Sequence, residues 1–300
     1  MNADYPFENN FLDLNGLKYH YLDEGQGDVV VMVHGNPSWS YYYRNLAKAL
    51  RDDYRVIAPD HIGCGLSDKP GDDAYEYTLR QRVDDLDALL AHLDVNEKIT
   101  LVVHDWGGMI GMAYAARYPE RIARLVILNT SAFHLPATKK FPLALKICRD
   151  TALGEFLVLK MNMFAAMAAK VGCKRNPMPA PLREAYCSPY DTPANRIATL
   201  RFVQDIPLKP GDKGYDLISE VEAGLERFAD LPMTICWGSK DFVFDLHFLK
   251  EWQRRFPKAQ VHRFDDCGHY ILEDAKDEVI PIIQQFLAAN PLQGDVGTAP

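Results

Sequence analysis

The feature that most constrains the fold is the segment 98–117, KITLVVHDWGGMIGMAYAAR. Residues 99–103 are aliphatic or β-branched without a polar break, which predicts a strand buried on both faces of a parallel sheet. Glycines then open a stretch with helical spacing of apolar residues. A strand that turns sharply into a helix presents one side chain at the carboxyl edge of the sheet, in front of the helix N-terminal amides. We therefore predict a nucleophile elbow with Asp105 at its apex.

This elbow departs twice from the pattern Gly-x-Ser-x-Gly that is typical of such turns. Val103 stands at the first glycine position, and Asp105 replaces the serine. An aspartate before a helix is also a common N-cap, so Asp105 has a purely structural alternative. No serine of the chain has an elbow context. The choice between nucleophile and cap therefore depends on the rest of the chain.

The order of strand-like and helix-like segments predicts an α/β fold with a mostly parallel sheet flanked by helices. Alternation around Asn15-Gly16 predicts an antiparallel edge hairpin. The remaining strand-like runs are at 29–33, 54–60, 99–103, 125–129, 233–237 and 260–264, and helical patterns lie at 40–50, 78–93 and 278–289.

The character of the chain changes after residue 134. From 135 to about 212 it is helical, rich in Met and Ala, interrupted by prolines and free of strand-like runs. We predict a helical cap at 135–212, inserted after about the sixth strand into an α/β core formed by 1–134 and 213–300. The residues from about 291 onward are predicted to be a frayed tail.

Charge and cysteine spacing exclude several classes of function. The formal net charge is −8 and no Lys/Arg block interrupts it, which disfavours nucleic acid as a partner. The six cysteines are irregularly spaced without Cys-x-x-Cys, so no metal site, organic cofactor or disulfide framework is indicated. The N-terminus lacks a secretory signal, and the longest apolar stretch, 161–169, is far shorter than the ~20 residues of a membrane span. We expect a cytoplasmic protein without a membrane span.

Two later residues complete a catalytic constellation with Asp105. Asp241 follows the strand-like run that ends at Trp237, and His269 follows the last such run. The order nucleophile, acid, histidine is that of the α/β-hydrolases, whose strand ends converge on one edge of the sheet. The alternative acid position, after the preceding strand at 129–133, carries no carboxylate.

A carboxylate nucleophile suits displacement at saturated carbon, because it forms an ester that His269, held by Asp241, can hydrolyse with an activated water. Asn36 and Trp106 offer side-chain N–H donors for an anionic leaving group, and their backbone amides offer an oxyanion hole. The structural alternatives are core packing for Trp106 and a turn residue before Pro37 for Asn36.

These residues resemble the haloalkane dehalogenases, a group within the α/β-hydrolase fold. The matching segments are 34–37 (HGNP), 60–70 (DHIGCGLSDKP) and 103–108 (VHDWGG), and the dehalogenases share the valine at the first glycine position. The resemblance implies Asp105 as nucleophile, His269 as base and Asp241 as acid. It implies Asn36 and Trp106 as the halide-stabilising pair.

The chain is more similar still to the β-lactone decarboxylases of bacterial head-to-head olefin biosynthesis, in segments 39–44, 81–86, 106–111, 128–133 and 194–207. That resemblance implies a cis-3,4-dialkyl-oxetan-2-one as substrate, a cis-olefin and carbon dioxide as products, and possible assembly with other enzymes of the olefin pathway. Asp105 would attack either the ring carbon that bears oxygen or the carbonyl carbon. The cap side chains of Met161, Met163, Phe164 and Met167 would line an alkyl pocket or simply pack between helices.

Two further alternatives remain open from the sequence. Epoxide hydrolases also use an Asp nucleophile, but they need paired cap tyrosines, for which Tyr186 and Tyr190 are available, and usually an aromatic residue where this chain has Asn36. A non-catalytic binding protein on the same fold would be expected to carry a degraded triad, whereas the triad here is intact.

Overall fold

The computed structural model describes residues 4–292. Eight strands form one sheet: Asn10–Leu14 (β1), Leu17–Glu24 (β2), Val29–Val33 (β3), Arg55–Pro59 (β4), Ile99–Asp105 (β5), Ile122–Thr130 (β6), Met233–Gly238 (β7) and Gln260–Phe264 (β8). Their order in the sheet is β1-β2-β4-β3-β5-β6-β7-β8. Six neighbouring strands are parallel to one another, in the order β4, β3, β5, β6, β7 and β8. Strands β1 and β2 form an antiparallel edge. The predicted α/β fold with a mostly parallel sheet is confirmed.

Twelve α-helices are distributed along the described residues. They are Arg44–Leu50 (α1), Leu79–His92 (α2), Trp106–Arg117 (α3), Leu143–Asp150 (α4), Ala152–Leu159 (α5), Met163–Val171 (α6), Ala180–Cys187 (α7), Ile197–Gln204 (α8), Tyr215–Gly224 (α9), Leu246–Arg255 (α10), Ile271–Asp274 (α11) and Lys276–Ala289 (α12). Short 3₁₀ turns precede or follow several of them, including Ser40–Tyr43 before α1.

The edge hairpin forms where the sequence predicts it. Asn15 and Gly16 both have positive φ, 55° and 90°. A two-residue turn with that backbone matches the right-handed twist of the flanking strands. It brings Leu14 opposite Leu17.

Both faces of the sheet are covered at its centre, where β5 lies. All seven residues of β5 are buried between β3 and β6. Alternate side chains contribute to two separate apolar clusters, Leu101 and Val103 to one and Val102 to the other. The first cluster includes residues of α2, α3 and α9, and the second includes residues of α1, α11 and α12.

A long helical insertion separates β6 from β7. Residues 131–232 contain the helices α4 to α9 and, within the described chain, no strand. Helix α9 packs against α3 of the core, while α4 packs against α5 and α8, and α6 against α7. The insertion thus follows the sixth strand as predicted, while its boundaries at 135 and 212 stay a prediction.

The predicted frayed tail lies almost entirely outside the described residues, which end at 292.

No single helix between residues 4 and 292 has the length and apolar composition to cross a bilayer. Helices α5 and α6 meet that criterion only when taken together, and the chain bends by 74° between them.

Candidate active site

The turn between β5 and α3, which we call the elbow, places Asp105 at the carboxyl edge of the sheet. Asp105 has φ 52° and ψ −125°, a backbone conformation that L-residues rarely adopt. Glycines at 107 and 108 allow the turn to pack closely, because a Cβ on Gly107 would lie 1.9 Å from the Val33 carbonyl oxygen and one on Gly108 would lie 1.9 Å from Thr130 Oγ1. The elbow is therefore wedged between the ends of β3 and β6.

The carboxylate of Asp105 is buried but not isolated. Its Oδ1 accepts a hydrogen bond of 2.6 Å from the backbone N–H of Asn36. Burial raises the pKa of Asp105, against the opposing effects of His269 and of the Asn36 and Trp106 backbone amides. A Cβ on Gly35 would lie 2.1 Å from Asp105 Oδ1, so glycine is required at position 35 for the Asn36 amide to approach this carboxylate.

His269 lies between two carboxylates. Its Nδ1 donates to Asp241 Oδ2 at 2.7 Å, and its Nε2 is 3.6 Å from Asp105 Oδ2. Burial alone would lower the pKa of His269, but the charges of Asp241 and Asp105 outweigh it and the pKa is raised. Asp241 thus fixes the ring orientation that points Nε2 toward the elbow, which is the geometry of a nucleophile–histidine–acid triad.

Asp241 is itself held by four donors. Its Oδ1 accepts from the backbone N–H groups of Val243 and Phe244, at 2.7 and 3.1 Å. Its Oδ2 accepts from Asn129 Nδ2 at 3.0 Å in addition to His269. Asn129 also accepts from the N–H of Gly238 at 2.8 Å, so its amide joins the ends of β6 and β7.

The sequence reasoning missed the roles of Asn129 and His104. Asn129 lies in the stretch 129–133, which carries no carboxylate, but a polar residue near the end of a buried strand is itself a signal of contact with a site. His104 Nε2 lies 2.9 Å from the His269 carbonyl oxygen, and burial lowers the pKa of His104. A neutral His104 therefore donates this bond, which ties the backbone of His269 to β5.

Asn36 and Trp106 both lie beside Asp105. Asn36 Nδ2 donates one hydrogen bond to the Thr199 carbonyl of α8, at 3.1 Å. Among the described residues, no partner takes its second amide hydrogen or the indole N–H of Trp106. Both side chains line the same cavity as Asp105 and His269. The structure therefore brings all five predicted site residues together.

The cavity above the triad has a volume of about 480 Å³. Of its thirty lining residues, eighteen belong to the segment 135–212. Beyond Asp105, His269, Asn36 and Trp106, only His134 and Cys148 bring a polar or thiol side chain to its wall. A site of this kind suits an apolar molecule with one reactive polar group.

The expectation for the methionine-rich cap is correct for three of four residues. Met163, Phe164 and Met167 line the cavity. Met161 does not, and its side chain is 60% exposed. The reason is that Met161 lies in the break between α5 and α6, where Asn162 turns the chain with φ 50°.

The two cap tyrosines do not reach the cavity. Tyr186 donates to Glu273 Oε1 at 2.7 Å, and Tyr190 donates to the Ser38 carbonyl at 3.3 Å. Neither lines the cavity wall, so neither is placed to protonate an epoxide oxygen there.

The cysteines form no disulfide in the part of the chain that the structure describes. All six cysteines are free and four of them are buried. Within residues 4–292 no group of three or more His, Cys, Asp and Glu side chains is arranged to hold a metal ion.

A family model described as the alpha/beta hydrolase fold matches residues 28–276. The chain belongs to the α/β-hydrolase family. Among its relatives within that family, a cis-3-alkyl-4-alkyloxetan-2-one decarboxylase of Shewanella oneidensis is 65% identical over 282 residues, which is 94% of this chain and 89% of that protein. A protein of the same name from Xanthomonas campestris pv. campestris is 50% identical over 296 residues, covering 96% of this chain and 98% of that protein.

The α/β-hydrolase fold is also shared with solved haloalkane dehalogenases. The crystal structure of haloalkane dehalogenase DatA from Agrobacterium tumefaciens C58 superimposes with a TM-score of 0.83, covering 95% of this chain and 97% of that one. At 23% identity, this likeness concerns the fold alone. The resemblances predicted from the sequence, to the dehalogenase-like α/β-hydrolases and to the β-lactone decarboxylases, are confirmed.

Proposed function

We propose that this α/β-hydrolase is a cis-3-alkyl-4-alkyloxetan-2-one decarboxylase, which converts a dialkyl β-lactone to a cis-olefin and carbon dioxide in long-chain olefin biosynthesis. The observation that carries the proposal is the 65% identity, over 94% of the chain, with a relative of that name. The site supports it independently, since a buried carboxylate nucleophile faces an apolar cavity large enough for alkyl chains.

In this proposal Asp105 acts as the nucleophile and attacks the ring carbon that bears the oxygen, rather than the carbonyl carbon. Its attack from the side opposite the ring oxygen forms an ester and breaks the carbon–oxygen bond, so that the ring opens to a free carboxylate. The indole N–H of Trp106 and the second amide hydrogen of Asn36 are donors for this departing anion. No water is consumed, and both lactone oxygens stay together in the carboxylate that becomes carbon dioxide.

The second step is a fragmentation. The carboxylate loses carbon dioxide, its bonding electrons form the new double bond, and Asp105 leaves as a carboxylate. Backside attack places the ester oxygen anti to the carboxylate, and anti elimination then puts the two alkyl groups on the same side of the double bond. A protonated His269, whose pKa is raised by Asp241 and Asp105, stabilises the regenerated anion.

The cap supplies the environment for this chemistry. We propose that 135–212 is a functional unit that covers Asp105 with an apolar wall and limits the access of water. Exclusion of water strengthens the interaction between His269 and the two carboxylates. It also protects an Asp105 ester from hydrolysis, which favours fragmentation over release of a hydroxy acid. We further propose a cytoplasmic enzyme that works beside other enzymes of the olefin pathway.

A second candidate is haloalkane dehalogenation, favoured by one specific observation. Two N–H donors, from Asn36 and Trp106, stand beside a carboxylate nucleophile and a histidine able to activate water. The same donors would hold a halide instead of a carboxylate. The two reactions differ in the fate of the ester, since dehalogenation needs a water between His269 and the ester carbonyl.

The test offers both substrates to the purified protein in parallel. A long-chain cis-β-lactone and a 1-bromoalkane of matched length are incubated separately, and olefin and bromide are quantified. We expect cis-olefin from the lactone and little bromide from the bromoalkane. Asp105→Asn serves as the control for spontaneous decarboxylation. Bromide release without olefin would replace the proposal by the second candidate.

A further inference from the structure

The outer surface of α4, α5 and α6 carries a concentration of exposed large apolar side chains. Nine large hydrophobic residues are exposed in the described chain, and six of them lie between residues 143 and 167. We call these six the apolar face. They are Leu143, Leu153, Phe156, Met161, Met163 and Met167, with exposures between 41 and 71%. Helix α5 packs against both α4 and α6, so these side chains lie on neighbouring elements. A concentration of exposed apolar side chains marks an interaction site.

The helices that carry the apolar face are apolar without being able to span a membrane. Helix α5 contains one charged residue, Glu155, and α6 contains one, Lys170. Together they are apolar enough for a span, but the 74° bend between them prevents a straight crossing. Surface helices with exposed apolar side chains are suited to lie in the interface of a bilayer rather than to cross it.

The charge around the apolar face is opposite to that of the whole protein. Residues 135–175 contain eight Lys and Arg residues but only two acidic residues, a net charge of +6, whereas the whole chain carries −8. Five of the lysines are exposed and form no salt bridge with any residue that the structure describes. These are Lys140, Lys146, Lys160, Lys170 and Lys174. The other three cations of the segment are engaged by Asp or Glu side chains.

The apolar face is continuous with the mouth of the catalytic cavity. Met163 and Met167 line the cavity and are also 45 and 41% exposed, so they lie where the cavity meets the surface. Phe242, on the loop after β7, also lines the cavity and is exposed. Any layer that covers the apolar face would therefore also cover this opening.

We propose that the apolar face docks this enzyme on an anionic lipid bilayer, with the cavity mouth turned toward the membrane. The apolar side chains enter the acyl boundary and the five lysines contact anionic headgroups. An apolar ligand then passes between bilayer and cavity without crossing bulk water. A second copy of the chain fits this surface poorly, because a symmetric contact would bring the five exposed lysines of one copy against those of the other. The surface and its test do not depend on the substrate proposed above.

The first test measures binding to lipid vesicles by cosedimentation. Vesicles of phosphatidylcholine with about a third of phosphatidylglycerol should bind the protein, pure phosphatidylcholine should bind it more weakly, and added salt should release it. The double variant Leu153→Ser/Phe156→Ser should bind the anionic vesicles at least about ten-fold more weakly than the wild type. Neither residue lines the cavity, so its thermal unfolding and its activity on detergent-dispersed substrate should stay unchanged. Phe11→Ser, on the outer strand β1, is the matched control and should bind like the wild type.

The second test separates the charge from the apolar contact. Lys146→Glu and Lys160→Glu should each lower binding to the anionic vesicles by about five-fold or more, while Lys250→Glu, an exposed lysine of α10, should not. The proposal fails if no vesicle binds the protein, or if the apolar-face and control variants lose binding equally. It also fails if the double variant converts a dimer to a monomer in light scattering while vesicle binding stays at the wild-type level.

Discussion

At the scale of single residues, a few directed contacts decide how far the buried carboxylate of Asp105 is stabilised as an anion. Asp105 loses most of its hydration on burial, which favours its neutral form. The Asn36 amide and the His269 ring oppose that effect from two sides. Four donors in turn keep Asp241 fixed. In the mechanism proposed above, this partial stabilisation leaves the Asp105 anion basic enough to attack carbon.

Replacement of Asp105 by asparagine should abolish turnover without unfolding the protein. The amide keeps the shape and can still accept the Asn36 hydrogen bond, but it is a poor nucleophile. We expect a loss of roughly 10⁴-fold or more in kcat. Thermal unfolding should occur at the same temperature or higher, because a buried charge is removed. Turnover near the wild-type rate in the purified variant would exclude Asp105 as the nucleophile.

The pH dependence of kcat/KM should report the titration of both Asp105 and His269. Because burial raises the pKa of Asp105, the carboxylate is lost at a higher pH than for an exposed aspartate, whose pKa is about 4. As the pH is lowered, kcat/KM should therefore begin to fall at a pH higher than the value of about 4 that is typical of an exposed aspartate. Asp241→Asn removes the charge that raises the pKa of His269, so the alkaline limit of activity should move to lower pH. An unchanged alkaline limit in Asp241→Asn would show that His269 is not the group that titrates.

At the scale of elements, the elbow was predictable and its supports were not. An unbroken aliphatic run followed by glycines identifies a buried strand and a tight turn from local sequence alone. The contacts that hold the triad join residues far apart in the chain, 112 positions for Asn129 with Asp241 and 165 for His104 with His269. Nothing in the local sequence around Asn129 or His104 encodes those partners. They become visible only once the strand ends meet at one edge of the sheet.

The close packing of the elbow gives a test at this scale. Gly107→Ala places a Cβ against the backbone carbonyl of Val33, which has no room to move. We expect destabilisation by about 1–3 kcal/mol, measured by urea unfolding, and a roughly hundred-fold loss of turnover from displacement of Asp105. The control is Gly224→Ala at the end of α9, where a Cβ meets nothing within 4 Å. It should gain about 0.5–1 kcal/mol with unchanged turnover. Equal effects of the two variants would contradict a tight elbow.

At the scale of the whole molecule, the sequence predicted which elements exist better than how they enclose space. The parallel sheet, the insertion after the sixth strand and the five residues at its carboxyl edge all follow from pattern and order. The cavity does not, because its wall comes from short helices whose orientations depend on packing. Met161 shows the difference, since it shares the composition of Met163 and Met167 but faces outward at a chain break. Likewise, Tyr186 and Tyr190 are cap tyrosines by sequence but are tied to Glu273 and Ser38 in space.

If the insertion defines the space for alkyl chains, a change of volume in its wall should alter chain-length preference rather than chemistry. Ala168 of α6 lines the cavity, whereas Ala166, on the same helix, is exposed and does not. Ala168→Phe should therefore lower kcat/KM for long-chain lactones by roughly ten-fold or more relative to short-chain ones, because the added ring occupies space needed by the longer chain. Ala166→Phe should leave that ratio unchanged. Competition between a short and a long cis-lactone, followed by quantification of the two olefins, measures the ratio directly. A preference that shifts equally in both variants would mean that the cap acts through its stability, whereas a shift confined to Ala168→Phe would place the alkyl chain against α6.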